Sequence, residues 1–173
     1  MKTKQTINSL IIFITMLFVS CVNSCPREGD FKKSITNVSD TTKTYELKNE
    51  QEFKLTDAII SDFNGDKKLD TAKFQLKNNK AGVIITDGLT HKETIIGCGN
   101  KFDETGWDDF KWVDYWGITN DTLTYNVIVK DDEIIGTENF HLDNPSIFLR
   151  DNEAGGGIIT YKNGKYMWVH QAD

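Results

Sequence analysis

Residues 158–169 read IITYKNGKYMWV, and this stretch decides the fold of the chain. Asn163 and Gly164 separate two apolar runs, and both residue types tolerate the positive φ of a two-residue type I′ turn. The predicted cross-strand partners are Tyr161–Tyr166 and Ile159–Trp168 on one face, and Thr160–Met167 and Ile158–Val169 on the other. Because both faces are mostly apolar, we expect the hairpin to lie inside the sheet system rather than at its edge.

The segments upstream of this hairpin also have the periodicity of strands. Residues 81–86 (AGVIIT) form a β-branched run between turn residues, and residues 139–142 alternate polar and apolar. Residues 122–129 alternate in the same way, which predicts a strand whose buried face carries Leu123, Tyr125, Val127 and Val129. Since no segment keeps a 3.6-residue period over three turns, the sequence predicts an all-β, single antiparallel domain over residues 46–173, sandwich-like in its simplest form.

The N-terminus has the pattern of an export signal. Lys2 and Lys4 precede the apolar run LIIFITMLFV at residues 10–19, which is shorter than the roughly 20 residues that span a bilayer. The run ends in Phe18-Val19-Ser20-Cys21, which resembles the lipobox of bacterial lipoproteins. The resemblance implies a signal peptide at residues 1–20, lipidation of Cys21, and a place at the bacterial envelope, on the periplasmic face or the cell surface. The alternative is an ordinary signal peptide that is cleaved near Ser20 without lipidation.

Residues 21–45 are polar and rich in Ser, Thr, Asn and Lys, which predicts a flexible tether behind the lipid attachment site. Removing residues 1–20 removes two lysines and no acid, so the formal charge changes from −6 to −8. That acidity argues against nucleic acid as a partner and leaves the acyl chains as the membrane contact. In an oxidising compartment Cys25 and Cys98 can form a disulfide or remain free thiols.

An acidic loop lies between two apolar segments at residues 58–72 (AIISDFNGDKKLDTA). Asp62, Asn64, Asp66 and Asp70 place side-chain oxygens at loop positions 1, 3, 5 and 9, and the backbone carbonyl of Lys68 falls at position 7. Oxygen ligands at alternate positions suit Ca²⁺, which takes six to eight of them. The sequence therefore predicts a structural calcium site. The alternative is a plain type I′ hairpin at Asn64-Gly65 with solvated acids.

The loop resembles the calcium loop of FG-GAP and VCBS repeats, the blade motif of integrin-type propellers, which reads D-x-[DN]-G-D-G-x-x-D. Asp62, Asn64, Asp66 and Asp70 match its ligand positions, and Lys67 stands where its second glycine is expected. Because the motif occurs once, the resemblance implies hairpins stacked as in part of a propeller, and not a closed propeller.

Aromatic residues are concentrated at residues 102–116, interleaved with acids. Trp107, Trp112 and Trp116 are the candidate platform for a glycan or protein ligand, although packing in the core explains most of these aromatics equally well. No catalytic residue stands out. The predicted function is a binding or accessory module, and the alternatives are a glycan hydrolase that uses carboxylates near Trp107–Trp116 and an inhibitor or immunity-type protein.

Overall fold

The computed structural model describes residues 47–130, 133–153 and 155–171, which belong to one compact unit. Regular structure in these ranges consists of β-strands, without a helix. The strands are β1 (Glu50–Phe53), β2 (Ile59–Ser61), β3 (Asp70–Lys77), β4 (Lys80–Thr86), β5 (Glu93–Gly97), β6 (Tyr115–Thr119), β7 (Leu123–Lys130), β8 (Glu133–His141), β9 (Ser146–Arg150), β10 (Gly156–Lys162) and β11 (Lys165–Gln171). The prediction of an all-β fold is confirmed.

These strands form antiparallel sheets of three sizes. The largest has the order β1-β6-β9-β10-β11, the second has the order β2-β3-β4-β5, and β7 and β8 form a two-stranded ribbon. None of the three closes on itself, which confirms an antiparallel β domain that is not a closed propeller.

The main hydrophobic core joins the two larger sheets, as in a sandwich. The four-stranded sheet contributes Ile59, Ala72, Val83, Ile85 and Ile96, and the five-stranded sheet contributes Trp116, Ile118, Ile147, Leu149, Ile159 and Trp168. A smaller cluster of Leu142, Phe148, Ile158 and Val169 covers the opposite face of the five-stranded sheet. Because successive residues of a strand point to opposite faces, Ile158 and Ile159 belong to different clusters. The five-stranded sheet is therefore buried on both faces at its centre.

The C-terminal hairpin has the predicted register. Its four predicted residue pairs are all present, and Asn163 and Gly164 have positive φ values of 52° and 83°. The predicted position inside the sheet system is wrong for one strand, because β11 is the last strand of its sheet. Side chains cover this edge instead: Asp103 accepts a hydrogen bond from the Trp168 N–H, and Asn126 accepts one from the His170 N–H. An edge whose N–H groups are occupied is protected from pairing with another chain.

The predicted buried face of β7 is wrong at both ends. Leu123 is 42% exposed and Val129 is 50% exposed, whereas Thr124 is fully buried. Two causes are visible. Thr124 is buried where its hydroxyl accepts a hydrogen bond from the Gln171 side chain, and the register of β7 against β8 shifts between Ile128 and Val129. Such a shift interrupts the alternation of faces on which the prediction relied.

The export signal, Cys21, Cys25 and the tether lie outside the described residues, so the structure does not bear on them. The described ranges contain no helix that is long and apolar enough to cross a membrane. Cys98 is a buried free thiol whose Sγ lies 3.6 Å from the Gln75 carbonyl oxygen, and burial raises its pKa.

Candidate functional site

The acidic loop connects β2 to β3. Ser61 pairs with Asp70 across the two strands, so residues 62–69 form the connection between them. This register excludes the alternative of a two-residue turn at Asn64-Gly65.

The side-chain oxygens of the loop accept hydrogen bonds from its backbone. Asp62 accepts from the N–H groups of Gly65 (2.7 Å) and Lys67 (2.9 Å), one on each carboxylate oxygen. Asn64 Oδ1 accepts from the Asp66 N–H at 2.9 Å, and Asp66 Oδ1 accepts from the Lys68 N–H at 2.7 Å. Bonds from Asx side chains to N–H groups a few residues ahead fold a loop tightly without regular structure. Three of the predicted ligands therefore determine the shape of the loop.

Asp70 fastens this loop to the turn between β4 and β5. Its side chain is buried and accepts hydrogen bonds from the N–H groups of Phe63 (3.0 Å) and Gly88 (2.8 Å). Burial raises the pKa of Asp70, and these two bonds offset part of that effect. Gly88 is needed here because a Cβ would lie 2.1 Å from the Leu69 carbonyl oxygen.

Asp87 extends the acidic group from a second loop. Its Oδ2 accepts a hydrogen bond from the Asn64 side chain at 2.8 Å, and its Oδ1 accepts from Thr90, whose backbone N–H is the main reason that the pKa of Asp87 is lowered. Sequence reasoning missed Asp87 because it lies 23 residues from Asn64 and belongs to no local motif.

The loop has the backbone shape that the calcium motif requires at one position. Lys67, which replaces the second glycine of the motif, has φ 68°, and Gly65 has φ 79°. The candidate ligand atoms are oxygens, which Ca²⁺ prefers, and an oxygen that accepts one N–H hydrogen bond keeps a second lone pair for a metal ion. Among the described residues, however, no group of three or more acidic, His or Cys side chains is arranged to hold a metal ion. Calcium at Asp62, Asn64, Asp66, Asp70 and the Lys68 carbonyl stays a prediction.

The aromatic segment between β5 and β6 is anchored on the first residues of β4. The Ala81 carbonyl accepts hydrogen bonds from the N–H groups of Cys98 (3.0 Å) and Phe110 (3.1 Å), and the Ala81 N–H donates to Asp109 at 2.9 Å. Phe110 is fully buried and packs against Gly97, where a Cβ would lie 2.4 Å from its ring. These contacts hold the segment against the start of β4 and the end of β5.

The candidate platform divides into two parts. Trp116 is fully buried, and its Nε1 donates to the Lys54 carbonyl at 2.9 Å, so it belongs to the core and offers no surface to a ligand. Trp107 and Trp112 are half-buried and stand edge to face, with ring centroids 5.5 Å apart. Trp107 also contacts Trp168 and His170, at centroid distances of 5.3 and 6.3 Å.

Trp107 and Trp112 line a cavity of about 430 Å³, which we call the tryptophan cavity. Its other lining residues are Gly106, Asp108, Asp109, Asp151, Gly156, His170 and Gln171. Ligand pockets commonly measure about 300–1,000 Å³ and combine aromatic walls with a few polar groups. The cavity therefore has the size and lining of a site for a small ligand.

The polar groups of the tryptophan cavity are held in defined states. Asp108 forms an ion pair with Lys80, and Asp109 accepts hydrogen bonds from the N–H groups of Ala81 (2.9 Å) and Lys111 (3.2 Å). The bond from Ala81 is the main reason that the pKa of Asp109 is lowered, so this carboxyl is ionised at neutral pH. Burial lowers the pKa of His170, which keeps its ring neutral, with one donor and one acceptor nitrogen.

No family model, curated protein or solved structure matches this chain.

Four lining residues of the tryptophan cavity come from outside the predicted aromatic segment: Asp151, Gly156, His170 and Gln171. One sequence signal pointed to His170, because it follows Trp168 by two residues in β11 and therefore shares its face. No sequence signal indicated that this face would meet residues 106–112.

Proposed function

We propose that this chain is a lipid-anchored envelope protein whose β domain binds a glycan in the tryptophan cavity. The observation that supports this proposal is the pairing of two half-buried tryptophans with ionised and neutral polar side chains in one cavity of about 430 Å³. Sugar rings combine apolar C–H faces with hydroxyl groups. Aromatic faces suit the former, and carboxylate oxygens accept hydrogen bonds from the latter.

The state of the carboxylates favours binding over hydrolysis. A glycosidase needs a carboxylic acid of raised pKa that donates a proton to the leaving oxygen. Asp109 has a lowered pKa, and Asp108 is occupied by the ammonium group of Lys80. Both side chains therefore suit the role of fixed acceptors for ligand hydroxyls.

The test is a titration of the purified protein with soluble glycan fragments, followed by tryptophan fluorescence and calorimetry. We expect Trp112→Ala to lower the affinity at least tenfold. Tyr161→Ala serves as the matched control, because Tyr161 is a half-buried aromatic residue near the turn of the same hairpin, away from the cavity. Equal affinity in wild type and Trp112→Ala, or no binding of any glycan, contradicts the proposal.

The lipid anchor has a separate test. Intact-mass measurement of the protein from membranes, beside Cys21→Ala, is expected to show acyl mass in the wild type alone. A wild-type protein without lipid mass contradicts the anchor and leaves the binding proposal standing.

The acidic loop is proposed to bind calcium in a structural role. Its ligands are held by the loop backbone, and at a concentration tenfold above Kd calcium would stabilise the fold by about 1.4 kcal/mol. Thermal melting with calcium and then with chelator, alongside Asp66→Ala, measures this effect. A wild-type melting temperature that does not respond to calcium contradicts it.

A further inference from the structure

The charged residues that line the tryptophan cavity all carry the same sign. They are Asp108, Asp109 and Asp151, and no lysine or arginine of the described residues lines the cavity. Lys80 and Lys111 pair with Asp108 and Asp109 but are not part of this lining. Because the side chains of these lysines are 39% and 45% exposed, water screens both ion pairs and leaves them weak. The cavity therefore attracts a positively charged group and repels an anionic sugar.

Asp109 offers such a group an acceptor that is held in place. Its Oδ1 accepts both backbone hydrogen bonds, from Ala81 at 2.9 Å and from Lys111 at 3.2 Å, which fix the orientation of the carboxylate. Its Oδ2 accepts no hydrogen bond from the described residues, and the Lys111 Nζ lies 3.8 Å from it, beyond hydrogen-bonding distance. The Asp109 side chain lines the cavity and is 31% exposed. A ligand in the cavity can therefore supply the donor that Oδ2 lacks.

The other walls of the tryptophan cavity also suit a cation. An ammonium group over the face of an aromatic ring is attracted by the quadrupole of the ring, most strongly in the case of tryptophan. Trp107 and Trp112 are half-buried, so part of each side chain is accessible. His170 does not repel a cation, because burial lowers its pKa and keeps the ring neutral. The whole chain has a formal charge of −6, which favours the approach of cationic ligands.

We infer that the tryptophan cavity binds an amino sugar whose free ammonium group donates a hydrogen bond to Asp109 Oδ2 and contacts the rings of Trp107 and Trp112. This inference rests on the proposed glycan-binding function and specifies its ligand class. Acetylation of the amine removes the positive charge and two of the three N–H donors. An N-acetylated sugar and a sugar with hydroxyl groups alone therefore both lack the attraction between the ammonium group and the cavity.

The experiment compares three trisaccharides with the same β-1,4 linkage that differ at carbon 2: chitotriose with free amines, tri-N-acetylchitotriose, and cellotriose with hydroxyl groups. Calorimetry on the full chain is done in slightly acidic buffer, which keeps the amines protonated, while the lowered pKa of Asp109 keeps its carboxylate ionised. Chitotriose is expected to bind at least tenfold tighter than either neutral sugar. Binding of none of the three overturns the proposed function and the inference together. A neutral sugar that binds within tenfold of chitotriose, or more tightly, overturns the inference alone.

Asp109→Asn tests which charge the ligand uses. Asparagine keeps an oxygen that accepts the two backbone hydrogen bonds but removes the charge, so the affinity for chitotriose is expected to fall at least tenfold. Asp143→Asn is the matched control, because Asp143 is an exposed, ion-paired acid that does not line the cavity. Unchanged affinity in Asp109→Asn, or an equal loss in both variants, overturns the inference. If Asp109→Asn does not fold, the comparison of the three sugars on the wild type decides.

Discussion

The acidic loop contains a lysine in a backbone conformation that favours glycine. Lys67 is exposed and has φ 68°, whereas its neighbour Lys68, which is also exposed, lies outside the left-handed region. The left-handed conformation costs an L-residue about 1–2 kcal/mol, and glycine adopts it freely. A glycine also adds about 0.5–1 kcal/mol of backbone entropy to the unfolded chain. We therefore expect Lys67→Gly to raise the free energy of unfolding by about 0.5–1 kcal/mol.

Lys68→Gly is the matched control for this prediction. It removes the same charge from the same loop and adds the same unfolded-state entropy, but it relieves no strain. Glycine keeps the N–H through which each lysine bonds to Asp62 or Asp66. Lys68→Gly is thus expected to lower the free energy of unfolding by about 0.5–1 kcal/mol.

The predicted difference between the two variants is about 1–2 kcal/mol, or about 4–8 °C in melting temperature for a domain of this size. Urea denaturation followed by tryptophan fluorescence, in the presence of chelator, measures it. If Lys67→Gly destabilises the domain as much as Lys68→Gly does, the strain at Lys67 is absent and the reasoning is refuted.

Three further predictions concern the packing at Gly157, the carboxylate of Asp87 and the C-terminal strand. Gly157→Ala is expected to destabilise the domain by about 1–3 kcal/mol, because its Cβ would meet the Trp168 ring and the Val169 carbonyl; an unchanged urea midpoint would count against this packing. Because the folded-state pKa of Asp87 is lowered, its contribution to stability is present above about pH 4 and is lost as the pH falls through that lowered value. Thermal melts at decreasing pH should therefore show a smaller loss of stability for Asp87→Asn than for the wild type, and parallel stability curves for the two proteins would contradict this. Deleting residues 165–173 removes half of the two-sided hairpin and should abolish cooperative melting; a soluble product with a sharp transition would refute that.

The parts of the fold that were predictable are those determined by neighbours in sequence. The register of the C-terminal hairpin follows from the positive φ tolerated by Asn163 and Gly164, so it could be read from twelve residues. The buried face of β7 could not be read in this way. Which side chains of β7 are buried depends on the strand that packs beside it, and pairing with β8 leaves Val129 in solvent.

The same division applies to the candidate sites. The ligand spacing of the acidic loop is local, and even the positive φ at Lys67 agrees with the glycine of the motif. By contrast, Asp87 contacts Asn64 only because two loops pack together, and His170 contacts Trp107 although the two residues are far apart in sequence. Contacts between distant residues leave no periodic signal in a single sequence. For the same reason, the sequence alone does not show that Trp107 is half-buried whereas Trp116 is fully buried.

The hairpin that determines the fold also separates the two candidate sites. Tyr161 and Tyr166, near its turn, line a cavity with Asn64 and Asp87, whereas Gly156 and His170, at its open end, line the tryptophan cavity. The seven residues of β10 span about 20 Å between these ends, farther than the screening length of about 8 Å at physiological salt. Calcium at the acidic loop should therefore stabilise the fold without changing ligand affinity. Calorimetric titration of the glycan, well below the melting temperature, with calcium and with chelator, should give the same Kd within twofold. A larger change would mean that the two ends of the hairpin are coupled through its packed strands.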